Sequence, residues 1–104
     1  MINIKLIEYP KTQDYKIRVE GHAGYAEKGK DIVCSAVSIL VDTFIATNGK
    51  AVKVTEREGL KEIDTIPGIA NVTFPGVFFF FVTGIKLLMA EYPDYVNISL
   101  TEIR

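Results

Sequence analysis

His22 and Cys34 are the only histidine and the only cysteine in 104 residues, and both fall in one glycine-punctuated stretch, GHAGYAEKGKDIVC. An imidazole and a thiol in that proximity make an activated nucleophile, the ring taking the thiol proton and the thiolate attacking a carbonyl. The local sequence supplies a reason for the thiolate. Asp31 has the character of a helix N-cap, which puts Ile32, Val33 and Cys34 in the first helical turn. Unpaired backbone amides and the positive end of the helix dipole collect there, so a thiolate is favoured over a thiol. The same amides are expected to be free to hold the oxyanion of a tetrahedral intermediate.

The same residues admit a plainer reading, in which Cys34 is a packed small hydrophobe and His22 a loop residue. A metal site is not expected, because one His and one Cys cannot complete a four-ligand zinc centre unless Asp31 or a second subunit contributes. No cofactor is implied. Glu20 and Glu27 read as a solvated acidic rim.

The elements that must position the pair follow from periodicity. Ile2, Ile4 and Leu6 alternate with polar residues, as do Tyr15, Ile17 and Val19 beyond a turn at residues 10–14, and together they predict an antiparallel hairpin. A loop over residues 21–30 follows, with Gly21, Gly24 and Gly29 open to backbone angles closed to other residues. A helix runs from the Asp31 cap to about Thr47, stopped by Asn48-Gly49. Ser35, Ser38 and Asp42 form its narrow polar stripe, and its apolar remainder predicts burial on most sides. Residues 51–58 and 60–66 read as a second hairpin turning at Gly59, whose charges, Glu56, Arg57, Glu58, Lys61 and Glu62, are expected to face solvent. Residues 69–74 are either a short strand or the lead-in to a second helix over residues 74–91, with Pro75 in its first turn. Residues 95–103 close the chain as a strand. The expected fold is α+β, a two-layer sandwich in the order β-β-α-β-β-α-β with a mainly antiparallel sheet, in one domain spanning residues 1–104.

Composition narrows the function. A formal charge of -1 without a Lys/Arg run argues against direct nucleic-acid binding. A lone cysteine leaves no internal disulfide and suits a cytoplasmic location. The N-terminus lacks the pattern of a signal peptide. The apolar stretch FPGVFFFFVTGIKLLMA is interrupted by Gly84 and Lys86 and reads as too short to span a membrane, so no membrane partner is expected. Its aromatics circle the helix, which predicts core on one side and a homodimer interface on the other, with an aromatic substrate groove as the lesser alternative.

The stretch GHAGYAEKGKDIVCSAVS resembles the signature of the ribosomal-processing cysteine protease family Prp. Gly21, His22, Ala23, Gly29, Asp31, Ile32, Val33, Cys34, Ala36 and Ser38 carry the resemblance, and GLK at residues 59–61 and GIKLLMAEYPDYV late in the chain extend it over nearly the whole length. Two departures stand out. Ser35 takes the place of an alanine, and the VFFFFV helix is more aromatic than the family's mixed, often acidic one. The resemblance implies an α+β homodimer with His22 as base and Cys34 as nucleophile, and a mobile loop that orders over the substrate. It also implies the substrate: the N-terminal extension of a large-subunit ribosomal protein, the twenty-seventh, cut after paired aromatics. Asp31 is assigned to capping and to fixing Cys34, and Ser38 to lining the site or bonding within the helix. Two alternatives stay open: a non-catalytic peptide-binding or ribosome-associated module, and a divergent copy that processes a phage structural protein.

Overall fold

The computed structural model describes residues 1–27, 29–69 and 72–103. Its sheet contains β1 (Ile2–Tyr9), β2 (Asp14–Glu20), β3 (Val52–Arg57), β4 (Leu60–Thr65) and β5 (Val96–Glu102), in the spatial order β3-β4-β2-β1-β5. Helices α1 (Ile32–Asn48) and α2 (Phe74–Glu91) pack on one face of it. This is the expected α+β sandwich in the expected element order, with a 3-10 turn at Gly49–Ala51 added between α1 and β3. Residues 70 and 71, within the segment read as strand or helix lead-in, lie outside the described residues. Val72 and Thr73 form a turn leading into α2.

The period-two pattern decides which residues meet. Ile2, Ile4 and Leu6 from β1, Ile17 from β2, Ile63 from β4 and Val96 from β5 point inward and are buried against Val33, Val37, Val41 and Phe44 of α1 and Phe81 and Ile85 of α2. The outward face carries an ion ladder instead, with Lys5 on Glu20 at 2.9 Å and Lys16 on Glu62 at 3.2 Å. Solvent-facing pairs of this kind, half-buried at Lys16 and Glu62, contribute little to stability; their effect is to keep the open face wet.

Both hairpins form as the alternation predicts, β1 with β2 and β3 with β4. β2 and β4 join them antiparallel. The last strand differs, since β5 pairs parallel with β1, Ile2 opposite Val96 and Glu8 opposite Glu102. The Ile2 amide donates to the Tyr95 carbonyl at 2.8 Å and so fixes where that parallel pair begins.

Two expectations about the helices need correction. The first concerns α1, which is not buried on most sides within the chain, whereas α2 shows the expected face outside the core. In α1 only Val33, Val37, Val41, Phe44 and Asn48 are buried among the described residues, and Ile32 and Ile39 are exposed. In α2, Phe74, Phe78 and Phe81 turn inward onto Phe44 and Tyr15, while Phe79 and Phe80 are each 74% exposed. A helix laid on a sheet hides one stripe only, whatever the composition of the rest. Nor is α2 too short to span a membrane, since its 18 residues, at mean hydropathy 1.5, are long and apolar enough by length and composition, as is the stretch Ile32–Ala51. The core helices of a sheet sandwich meet the same criterion.

Candidate active site

The site forms where β2 ends and α1 begins. Gly21 closes β2 with φ +92, and a side chain there would run into the Met1 carbonyl oxygen, so glycine is required on two counts. Its amide donates to the Gly59 carbonyl at 2.9 Å, which ties the strand end to the β3–β4 turn. His22 leaves this point exposed to solvent. Ala23 follows and is buried in the core.

At the start of α1, Asp31 caps the helix. One carboxylate oxygen accepts the Cys34 amide at 2.9 Å, and the other accepts the amides of Tyr25 at 3.1 Å and Ala26 at 3.4 Å. The Cys34 amide is the main reason its carboxyl lies below the ordinary value of 3.8; the Ala26 and Tyr25 amides and the Cys34 thiol add to the effect, while burial opposes it. Asp31 is buried, so this carboxylate belongs to the architecture of the site rather than to an acidic rim. The Ser35 hydroxyl donates to the Asp31 carbonyl at 3.1 Å, which satisfies a group that alanine would lack.

Cys34 is a free, half-buried thiol. Its own amide is committed to Asp31, which corrects the expectation that the amide nearest the sulfur is free for an oxyanion. A different donor reaches the sulfur. The Ala23 amide points at Cys34 Sγ from 3.3 Å.

His22, Cys34, Ser38 and Gly21 line a single cleft of about 250 Å³. The apolar side chains of Ile2, Val19, Val37, Val41 and Leu60 line it as well, and Glu56, Arg57 and Lys61 contribute charge to its wall. Of the residues singled out in the sequence, Gly24 (φ +70) and Gly29 (φ +90) lie in the exposed loop away from the cleft, and Lys28 between them is outside the described residues. Asp31 acts from behind, through Cys34 and the loop.

The charged hairpin is not simply a solvent face. Lys61 is 23% exposed and bridges Asp42 on α1 at 3.2 Å and Glu56 on β3 at 3.7 Å. Its position opposite Val19 puts it on the inward face, where the aliphatic stem is covered and the ammonium reaches two carboxylates. Register alone carries that information, and a run of alternating charges hides it. The Ala23 amide was also out of reach of sequence reasoning, since a backbone donor has no residue signature.

Three kinds of likeness accompany this geometry. The sequence model of the family described as cysteine protease Prp matches residues 1–97. The ribosomal processing cysteine protease Prp of Mycoplasma genitalium is 34% identical over 100 residues, covering 90% of this chain and 95% of that protein. Among solved structures, the ribosomal processing protease Prp of Staphylococcus aureus with a covalently linked product peptide superposes with a TM-score of 0.82 at 17% identity, over 99% of this chain and 100% of that one. The same protease with a substrate peptide gives 0.75 at 17% identity, again over 99% and 100%. A Streptococcus mutans structure gives 0.75 at 24% identity, over 99% of this chain and 96% of its own. At these identities the structures establish the fold.

Proposed function

This chain belongs to the cysteine protease Prp family and is a cysteine protease, and we propose that Cys34 is its nucleophile and His22 its general base. One observation carries the reading. The sequence offers a single cysteine and a single histidine, and the two share one cleft at the N-terminus of α1. A cysteine protease with one thiol has one choice of nucleophile. The non-catalytic alternative considered from the sequence accordingly gives way.

The mechanism follows from the neighbours of each atom. The thiol proton passes to the His22 imidazole, leaving a thiolate that accepts the Ala23 amide. The thiolate attacks the scissile carbonyl carbon, forming the C–S bond as the carbonyl π pair moves to oxygen. The dipole at the start of α1 opposes that charge. Collapse of the intermediate breaks the C–N bond, and His22 gives its proton to the leaving amine. Water then attacks the thioester, His22 takes one of its protons, and the acid product leaves with Cys34 restored.

The substrate we assign is the N-terminal extension of a large-subunit ribosomal protein, the twenty-seventh, cut after paired aromatics. Ribosomal processing is the role named for the Mycoplasma genitalium relative, and the apolar cleft walls suit a large apolar side chain beside the scissile bond. The working form we propose is a homodimer in the cytoplasm, with Phe79, Phe80 and Ile39 on the helical face supplying apolar surface for a second copy. No cofactor, nucleic acid or membrane enters the reaction.

The test is cleavage of a peptide carrying two adjacent phenylalanines by the wild type, Cys34→Ala and His22→Ala. Cleavage by the wild type that vanishes in both variants supports the dyad, with an expected loss in His22→Ala of about a hundredfold or more. Equal turnover by Cys34→Ala would falsify the nucleophile assignment. A wild type that cuts other peptides and spares this one would overturn the paired-aromatic specificity and return weight to a divergent substrate such as a phage structural protein.

A further inference from the structure

His22 stands in a segment without helix or strand, yet a base must be held to a fraction of an ångström to serve a nucleophile. Several backbone bonds help: Gly21 to Gly59, Ala23 to the Cys34 sulfur, and Tyr25 and Ala26 to Asp31. Around His22 and Gly24 the surroundings are open. Both are exposed, and a side chain built at Gly24 would meet no atom within 4 Å. Beyond Ala23, packing resumes at Tyr25.

The Tyr25 ring, 42% exposed, stands edge-on to two others. Its centroid lies 5.6 Å from Tyr92 at an interplanar angle of 83°, and 5.2 Å from Tyr95 at 78°. This is the arrangement ring quadrupoles prefer. The platform beneath is rigid. Tyr92 caps α2 through its amide on the Leu88 carbonyl at 2.7 Å, and its own carbonyl accepts the amides of Tyr95 and Val96. The Tyr95 carbonyl accepts the Ile2 amide, so the platform is continuous with the parallel strand pair at the edge of the sheet.

We propose that Tyr25 is a positioning residue for the protease reaction, its ring clasped between Tyr92 and Tyr95 so that the loop holds His22 beside Cys34. The proposal rests on the dyad assignment above. Asp31 and the tyrosine platform grip opposite sides of Tyr25, the carboxylate taking its backbone amide and the platform taking its ring. Without the ring contacts, residues 22–26 are held by the buried Ala23 side chain and by backbone hydrogen bonds that water can replace. Two edge contacts of ordinary strength correspond to roughly a tenfold change in the population of the held arrangement.

The test pairs turnover with exchange. Cleavage of the paired-phenylalanine peptide is measured for the wild type, Tyr25→Phe, Tyr25→Ala, Tyr92→Ala and Cys34→Ala, alongside amide hydrogen exchange at Tyr25 and Ala26. Tyr25→Phe keeps the ring and is expected to match the wild type. Tyr25→Ala is expected to lower kcat/KM about tenfold with its melting temperature nearly unchanged, and Tyr92→Ala, which removes one of the two ring contacts, about threefold, each speeding exchange at those amides by a similar factor. Unchanged turnover and exchange in Tyr25→Ala would overturn the proposal. So would an equal loss in Tyr25→Phe, which would assign the effect to the hydroxyl. Should Cys34→Ala cleave as well as the wild type, the dyad assignment fails, while the exchange rates still decide whether the clasp exists.

Discussion

Asp31 and Cys34 are joined backbone to side chain at 2.9 Å, and the same Asp31 carboxylate reaches across to the loop through Tyr25 and Ala26. One ionised group therefore sets both the start of the helix that carries Cys34 and the course of the chain that carries His22. The geometry of the cleft thus depends on a residue that acts from behind it.

This makes acid stability a test of Asp31. Its carboxyl is held below 3.8 in the folded protein, so its contribution is fully present above that value and is lost as the pH falls through the lower, folded one. Asp31→Asn keeps an acceptor for Cys34 and loses acceptance of the two loop amides. Melting curves between pH 3 and pH 7 are expected to show the variant about 5 °C less stable near neutrality, with the gap closing as the wild type acidifies. A gap that stays constant across the range would sink this account.

Gly21 allows a sharper experiment on the strand end beside His22. Gly21→Ala forces a left-handed backbone on a residue with a side chain and drives that side chain into the Met1 carbonyl. A loss of roughly 1–3 kcal/mol in urea unfolding is expected, together with reduced cleavage. Gly24→Ala, with open space around it, should cost less, through backbone strain alone. Equal costs at the two positions would show that the close approach to Met1 carries no weight.

The helical face can be tested by mass. Phe80 is largely exposed and sits with Leu40, Thr43 and Val77 around an apolar groove of about 350 Å³ between the two helices. Phe80→Asp is expected to halve the mass seen by sedimentation while changing unfolding stability by less than about 1 kcal/mol. A wild type that already sediments as a monomer would remove the proposed assembly.

Much of this arrangement is written locally. Asp31, the first-turn Cys34 and the Gly49 stop specify α1 at both ends, and the alternation in residues 2–9 and 14–20 specifies a hairpin with one wet face. Partner choice is not local. Nothing in the periodicity of residues 96–102 says that this strand lies parallel to β1, because both neighbours of a strand see the same alternation. Lys61 illustrates the same limit, its charge reading as surface until register turns it inward onto Asp42 and Glu56. Tyr25 lay in a loop with no period at all, so its ring contacts had no sequence signal to announce them.

The parallel pair carries a consequence for biosynthesis. β1 is made first and β5 last, and until β5 emerges β1 has one row of main-chain amides and carbonyls without a partner. Tyr92 and Tyr95 arrive with that same closing segment. A nascent chain that already holds His22 and Cys34 thus lacks both the strand that completes its sheet and the two rings that Tyr25 meets.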